Sequence, residues 1–159
     1  QHTIGRRQRQ MCIRDRADSV VIYHIKTVWL EMEKMYNKVA AERDGSLAMG
    51  FALLAIDKAG TPVTKIAPRL GMQPNSLSRL LKSMEKKALI FKRKDKVDKR
   101  RVYICLTEKG VEMQEFAMQM VFGLEKVLHD DISAEKLAVF FEVMRKIPKS
   151  VGRFKEEVR

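Results

Sequence analysis

The sequence predicts a mainly α fold with a small β-hairpin wing: a winged helix-turn-helix flanked by dimerisation helices. Three observations carry that prediction. Apolar residues recur at spacings of three and four along most of the chain. Two short helical stretches meet at a turn containing Gly71. The period then changes to two across residues 101–106, as on a half-buried strand.

The elements follow in chain order. From Asp18, the residues Val21, Ile25, Val28, Met32, Met35 and Val39 form the stripe of an amphipathic helix, which Asp44-Gly45 breaks. Ser46 can cap a second helix, with Phe51, Leu54 and Ile56 among its apolar residues and Gly60 just past its end. Thr61-Pro62 is a helix-start signal, because proline is tolerated at the first helical position. Val63, Ile66, Ala67 and Leu70 line a short third helix that stops at Gly71.

Gln73-Pro74 repeats that start signal, and Leu77, Leu80, Leu81 and Met84 supply the inward stripe of a fourth helix. Its opposite face presents Asn75, Ser76, Ser78, Arg79 and Lys82. A helix-turn-helix places its second helix in the major groove of duplex DNA, and these side chains hydrogen-bond base edges and phosphates. For an isolated helix, an ordinary polar face is the better reading; the preceding helix and the neighbouring charge weigh against it here.

Beyond Leu89-Ile90, Val102, Ile104 and Leu106 alternate with Arg101, Tyr103 and Cys105, and Phe91-Lys92-Arg93 can pair with that strand. The seven residues from Lys94 to Arg100 form a polar tip, with Asp95 and Asp98 to turn the chain. The result is a basic wing. Its Arg93, Lys96, Arg100 and Arg101 are suited to the phosphate backbone and to the minor groove, whose negative potential attracts arginine.

Two further helices are expected. Thr107 can cap the first, with the stripe Met113, Phe116, Ala117, Met120, Val121, Leu124 and Leu128. Ser133 can cap the second, with Leu137, Phe140, Phe141, Met144 and Ile147 ahead of Pro148. These stripes continue after the winged domain is complete, so residues 17–45 and 111–159 are read as dimerisation helices around a winged region at 46–110. A self-contained bundle within one chain is the alternative.

Charge points to the partner. Of the 159 residues, the 37 from Lys65 to Arg101 include thirteen basic and three acidic side chains, whereas residues 17–64 and 102–159 are each within one charge of neutral. Like charges so concentrated repel one another unless a polyanion relieves them. Charge alone does not distinguish DNA from RNA or anionic lipid; the helix-turn-helix does.

Other classes find little support. No apolar run approaches the roughly 20 residues a membrane-spanning helix needs, and no secretory h-region is visible. The chain therefore reads as cytoplasmic and nucleoid-associated. Cys12 and Cys105 make neither a disulfide framework nor a metal site, and His2, His24 and His129 lack a second ligand at metal spacing. No phosphate loop or nucleophile motif appears, so neither an enzyme nor a cofactor is expected. Cys105 could sense oxidants only if exposed. His24 and the ten methionines are read as packing or surface groups rather than ligand-pocket walls.

The segment Met11-Cys12-Ile13-Arg14-Asp15-Arg16 resembles an in-frame translation of a transposon-type sequencing adapter end. Residues 1–16 are therefore read as a non-native extension, with a DNA-reaching basic arm as the competing reading.

Residues 47–110 resemble the MarR family of transcription regulators. The similarity lies in the stretch from Val63 to Met72, in that from Gln73 to Lys87, in Asp98-Lys99-Arg100-Arg101 and in Leu106-Thr107-Glu108-Lys109-Gly110. The resemblance implies that Asn75, Ser76 and Arg79 contact the major groove, that Lys82 holds the backbone, and that Arg100 enters the minor groove with Asp98 orienting it. It also implies a homodimer on a pseudo-palindromic operator, acting as a repressor released by a small aromatic or phenolic ligand or by an oxidant. Three departures concern geometry. Ala88 replaces a C-cap glycine, predicting a less sharply ended helix; Pro68 is expected to kink or shorten the third helix; Gln73 is a weak cap. An architectural DNA binder and a winged protein-interaction module are the competing functions.

Overall fold

The computed structural model describes residues 19–95 and 97–158; the expectations for residues 1–16 and for Lys96 lie outside them. The described residues form two compact units, which divide between Gln114 and Glu115. The order of elements is α1 (Val21–Ala41), α2 (Leu47–Leu54), β1 (Thr61–Pro62), α3 (Val63–Leu70), α4 (Pro74–Lys86), β2 (Ile90–Lys94), β3 (Val102–Leu106), α5 (Glu108–Asp131) and α6 (Ala134–Glu157). The expected fold class is what is found.

The core of the first unit is built from the predicted stripes. Ile66 of α3 and Leu77, Leu81 and Met84 of α4 are buried together with Met49, Ala52, Leu53 and Ile56 of the α2 region and Leu89, Ile90 and Ile104 of the wing root. Each large aliphatic side chain removed from water contributes about 1.5–3 kcal/mol. One network therefore binds all three helices to the sheet, which fixes where α4 presents its polar face.

The helix ends agree with the local chemistry in several places. Asp44 adopts a left-handed φ of 55° at the end of α1, a conformation aspartate tolerates better than most residues. Ser46 accepts the N–H of Met49 at 3.3 Å, and Gly71 closes α3 with φ 60°. Gln73 makes no side-chain cap bond, as its chemistry predicts. Thr107 accepts the N–H of Gly110 at 3.0 Å and donates to the Ala88 carbonyl at 2.6 Å.

Three expectations need correction. First, α2 stops at Leu54, so Ile56 and Gly60 lie in a following turn. There Gly60 has φ 92°, and any Cβ would meet Cys105 Sγ at 2.7 Å. Second, Thr61-Pro62 is a strand before it is a helix start: β1 pairs antiparallel with β3, Thr61 opposite Ile104. The sheet order β1-β3-β2 makes β3 central. Proline fits because β1 is an edge strand. Cys105 is buried, because the Gly60 turn covers that face, so it lacks the exposure that sensing an oxidant requires.

Third, Ala88 ends α4 sharply rather than loosely. It takes the left-handed conformation itself, φ 56°, and Leu89 N–H bonds the Met84 carbonyl at 3.0 Å, closing the last turn as a glycine would. Neither interior proline ends its helix: α3 runs past Pro68 to Leu70 and stops at Gly71 as expected, and α6 runs past Pro148 to Glu157. Each proline forfeits one donor, and both lie on exposed positions where the freed carbonyl can meet solvent.

Gln114 was not singled out by the sequence. Although polar, it is buried, and its amide donates to the carbonyls of Leu53 and Ile56 at 2.6 and 2.8 Å. It thereby satisfies orphan groups at the end of α2.

The second unit comprises most of α5 and all of α6. Ser133 sits at the N-cap of α6 without a side-chain cap bond. Phe122, Phe140, Phe141 and Phe154 are all exposed, with Phe140 and Phe141 edge to face at 5.6 Å between ring centroids.

Candidate nucleic-acid interface

The exposed face of α4 carries the side chains expected of it. Asn75, Ser76, Ser78, Arg79 and Lys82 are exposed, while Leu77 and Leu81 between them are buried. The Ser78 hydroxyl donates back to the Pro74 carbonyl at 3.0 Å, leaving its oxygen able to accept. Among the described residues, no ion pair or hydrogen bond of Arg79 or Lys82 satisfies their charge.

The wing is a two-stranded antiparallel ribbon from Ile90↔Leu106 to Lys94↔Val102. Lys92 Nζ lies 2.8 Å from Glu85 and so fastens the wing to α4. The tip is ordered by its two aspartates. Asp95 accepts the N–H groups of Val97 at 2.8 Å and Asp98 at 2.9 Å. Those donors, that of Asp98 first, hold the Asp95 carboxyl below the usual carboxylate range, with Arg101 and Tyr103 assisting. Asp98 accepts the Arg100 N–H at 3.1 Å and pairs with Arg101 Nε at 3.3 Å.

The basic block therefore separates into two groups. Arg69 is tied to the Ala55 carbonyl at 2.7 Å and to Asp57 at 3.2 Å. With the Thr61 hydroxyl, which contributes most, it keeps Asp57 below its ordinary pKa. Lys87 pairs with Asp44 and lowers that carboxyl likewise. Arg93 donates to the Ala59 carbonyl at 2.8 Å and lies over the Tyr103 ring at 5.7 Å. Arg101 is held by Asp98. These cations are engaged within the protein. By contrast Arg79, Lys82, Lys86, Lys94, Lys99 and Arg100 are exposed and have no ion pair among the described residues.

Two of the expected site residues, Arg93 and Arg101, thus hold the wing in shape, whereas Arg100 stays uncommitted. Lys86, Lys94 and Lys99 were not singled out individually, and their signal was the block charge itself. Asp98 orders Arg100 through its backbone N–H, while its carboxylate pairs with the neighbouring Arg101. Among the described residues there is no cluster of three or more groups able to hold a metal ion, and no helix long and apolar enough to cross a membrane.

Comparison with known proteins places this geometry. Residues 54–102 match the MarR family. The organic hydroperoxide resistance transcriptional regulator of Bacillus subtilis (strain 168) is 30% identical over 114 residues, covering 69% of this chain and 78% of that protein. The chain belongs to the MarR family.

As a MarR-family protein it is a DNA-binding transcription regulator and not an enzyme. Its structure is similar to the Staphylococcus aureus MepR–DNA complex, with TM-score 0.75 and 25% identity over 82% of this chain and 98% of that one. The PcaV transcriptional regulator of Streptomyces coelicolor, solved with its natural ligand, shares the fold at TM-score 0.67 and 17% identity, over 82% of this chain and 93% of that one.

Proposed function

We propose that this MarR-family regulator is a ligand-responsive repressor that binds a pseudo-palindromic operator as a homodimer. The observation that carries the reading is the sorting of the basic block: Arg79, Lys82 and Lys86 of α4 and Lys94, Lys99 and Arg100 of the wing are exposed with no ion pair among the described residues, while Arg69, Lys87, Arg93 and Arg101 are spent on internal contacts. Asn75, Ser76, Ser78 and Arg79 read or position the major groove, Lys82 holds phosphate, and Arg100 enters the minor groove. Arg93 and Arg101 act by holding the wing that presents Arg100, and Lys96 is a further candidate for a phosphate contact.

The homodimer is supported by apolar side chains on α1 and α6 that are exposed in the single chain, among them Val21, Ile22, Val139 and Phe154. A small aromatic or phenolic ligand is supported by the partly exposed Trp29–Phe51 stack, 6.3 Å between ring centroids at 11°. That some ligand binds is in keeping with PcaV, which was solved with its natural ligand. Action on chromosomal DNA places the protein in the cytoplasm, at the nucleoid.

The test is binding-site selection from random duplex DNA with the full chain at two salt concentrations. An inverted repeat with half-sites about one helical turn apart is the expected result. Salt-sensitive binding with no enriched motif would convert the reading to an architectural binder. Absence of binding at low salt would leave a protein-interaction module.

A further inference from the structure

Val97 at the wing tip is the most exposed large apolar side chain among the described residues, at 95%. It is held there rather than left loose. Asp95 accepts its N–H at 2.8 Å. The turn around it is closed by Asp95 N–H to the Arg101 carbonyl at 3.0 Å and by Arg101 N–H to the Asp98 carbonyl at 2.9 Å. A β-branched side chain also has restricted rotation about χ1, so little side-chain freedom is lost when the isopropyl group packs against a surface. Its surroundings are cationic: Lys94, Lys99 and Arg100 are exposed in the same turn, and the Asp98 carboxylate is turned onto Arg101.

An apolar tip with Lys94, Lys99 and Arg100 exposed around its turn, and with the Asp95 carboxylate engaged by backbone N–H groups, fits a surface that is anionic at its edges and less polar within. The minor groove of DNA has that character: phosphates line its rims, and apolar side chains are known to enter it. A membrane surface is a poorer fit, because binding there scales with buried apolar area and one isopropyl group supplies little.

We propose that Val97 reads the minor groove, disfavouring guanine at the base step beneath the wing tip; the proposal rests on the DNA-binding reading above. In the minor groove A·T pairs show only acceptors, whereas guanine adds the N2 amino donor. Val97 packed over that amino group strips its water and offers no acceptor in return, a desolvation that goes uncompensated. Over an A·T pair no donor is stranded. Arg100 supplies attraction to the groove, and Val97 supplies discrimination within it.

The test uses the selected operator with an A·T, G·C or inosine·C pair at the step that the wing protects in a hydroxyl-radical footprint. Inosine keeps guanine's major-groove edge and lacks the N2 amino group. The wild-type chain should bind the A·T and inosine·C operators alike, and the G·C operator at least about fivefold more weakly. Val97→Thr keeps the branched shape and adds a hydroxyl that can accept from N2, so its G·C penalty should shrink to under about twofold. Val97→Ala, which uncovers the amino group, should shrink it also.

Equal binding of inosine·C and G·C by the wild type would overturn the assignment while leaving DNA recognition intact. So would a full penalty in both variants. Failure of the wild type to bind any duplex would remove the assignment together with the reading beneath it. Val97-dependent binding to vesicles of anionic lipid, with no base preference on DNA, would reassign the tip to a membrane surface.

Discussion

Asp98 and Arg101 form an ion pair of 3.3 Å across the base of the wing tip, while Asp98 accepts the neighbouring Arg100 N–H at 3.1 Å. An acidic side chain on a wing tip proposed to meet DNA would ordinarily oppose binding by charge. Here it shapes the turn and leaves the Arg100 side chain uncommitted. Asp98→Ala should therefore weaken operator binding even though it makes the protein more basic, and Asp98→Asn, which keeps an acceptor, should recover part of the loss. Titration by fluorescence anisotropy decides between shape and charge: tighter binding by Asp98→Ala would mean that charge dominates.

Arg79 and Arg100 should fail in different ways. Arg79→Ala is expected to cost about 1–3 kcal/mol on the operator and to relax base preference at one position in each half-site. Arg100→Ala should matter most where the flanking minor groove is narrow and A·T-rich. Competition against operators with altered flanks separates the two; a uniform loss across sequences would reduce either residue to a phosphate contact.

Gly110 belongs to the Leu106–Gly110 stretch that led from sequence to family, and the structure supplies its reason. A Cβ there would sit 1.9 Å from the Leu89 carbonyl oxygen, which also accepts the Thr107 N–H at 3.1 Å. Gly110→Ala should therefore force the start of α5 away from the wing root, at a cost of about 1–3 kcal/mol. Urea unfolding measures this, and an unchanged midpoint would contradict the close approach.

Ala88 points the other way. Its φ of 56° costs an L-residue roughly 1–2 kcal/mol, from which glycine is exempt. Ala88→Gly should raise stability, by about 1 kcal/mol once the added freedom of the unfolded chain is set against the relief. A lower melting temperature for the variant would mean that the Ala88 methyl group packs more productively than its exposed position implies.

Acid should loosen the wing late. The backbone N–H groups of Asp98 and Val97 depress the Asp95 pKa, so the ordered turn is stable above the unfolded aspartate value of about 3.9. It is lost only as pH falls through the lower folded value. Between pH 7 and about 5 the amide resonances of Val97 and Asp98 should stay put, and they should then move with a midpoint under about 3.9. A midpoint above that value would show that the two donors do not hold the ionised carboxylate.

Some features were legible because they depend on neighbours in sequence. The stripes of α3 and α4, the Thr107 cap, the break at Asp44-Gly45 and the polar face from Asn75 to Lys82 follow from helical period and local hydrogen bonding, which act over four residues or fewer. The alternation at Val102, Ile104 and Leu106 likewise marked the inward face of β3. The concentration of charge between Lys65 and Arg101 pointed to a polyanion without any coordinates.

Tertiary structure decided what depends on residues far apart in the chain. Only the pairing of Thr61 with Ile104 turned a helix-start signal into a third strand, and only the Gly60 turn buried Cys105 on the outer face of that sheet. The division of the basic block into engaged and uncommitted cations required partners such as Asp57, Ala59 and Glu85, which no spacing rule locates. Gln114 shows the same limit: a glutamine on a helix reads as a surface group until the carbonyls of Leu53 and Ile56 are brought against it. Local propensity determined the helices and the wing, and long-range packing determined the third strand and which polar groups were left uncommitted at the surface.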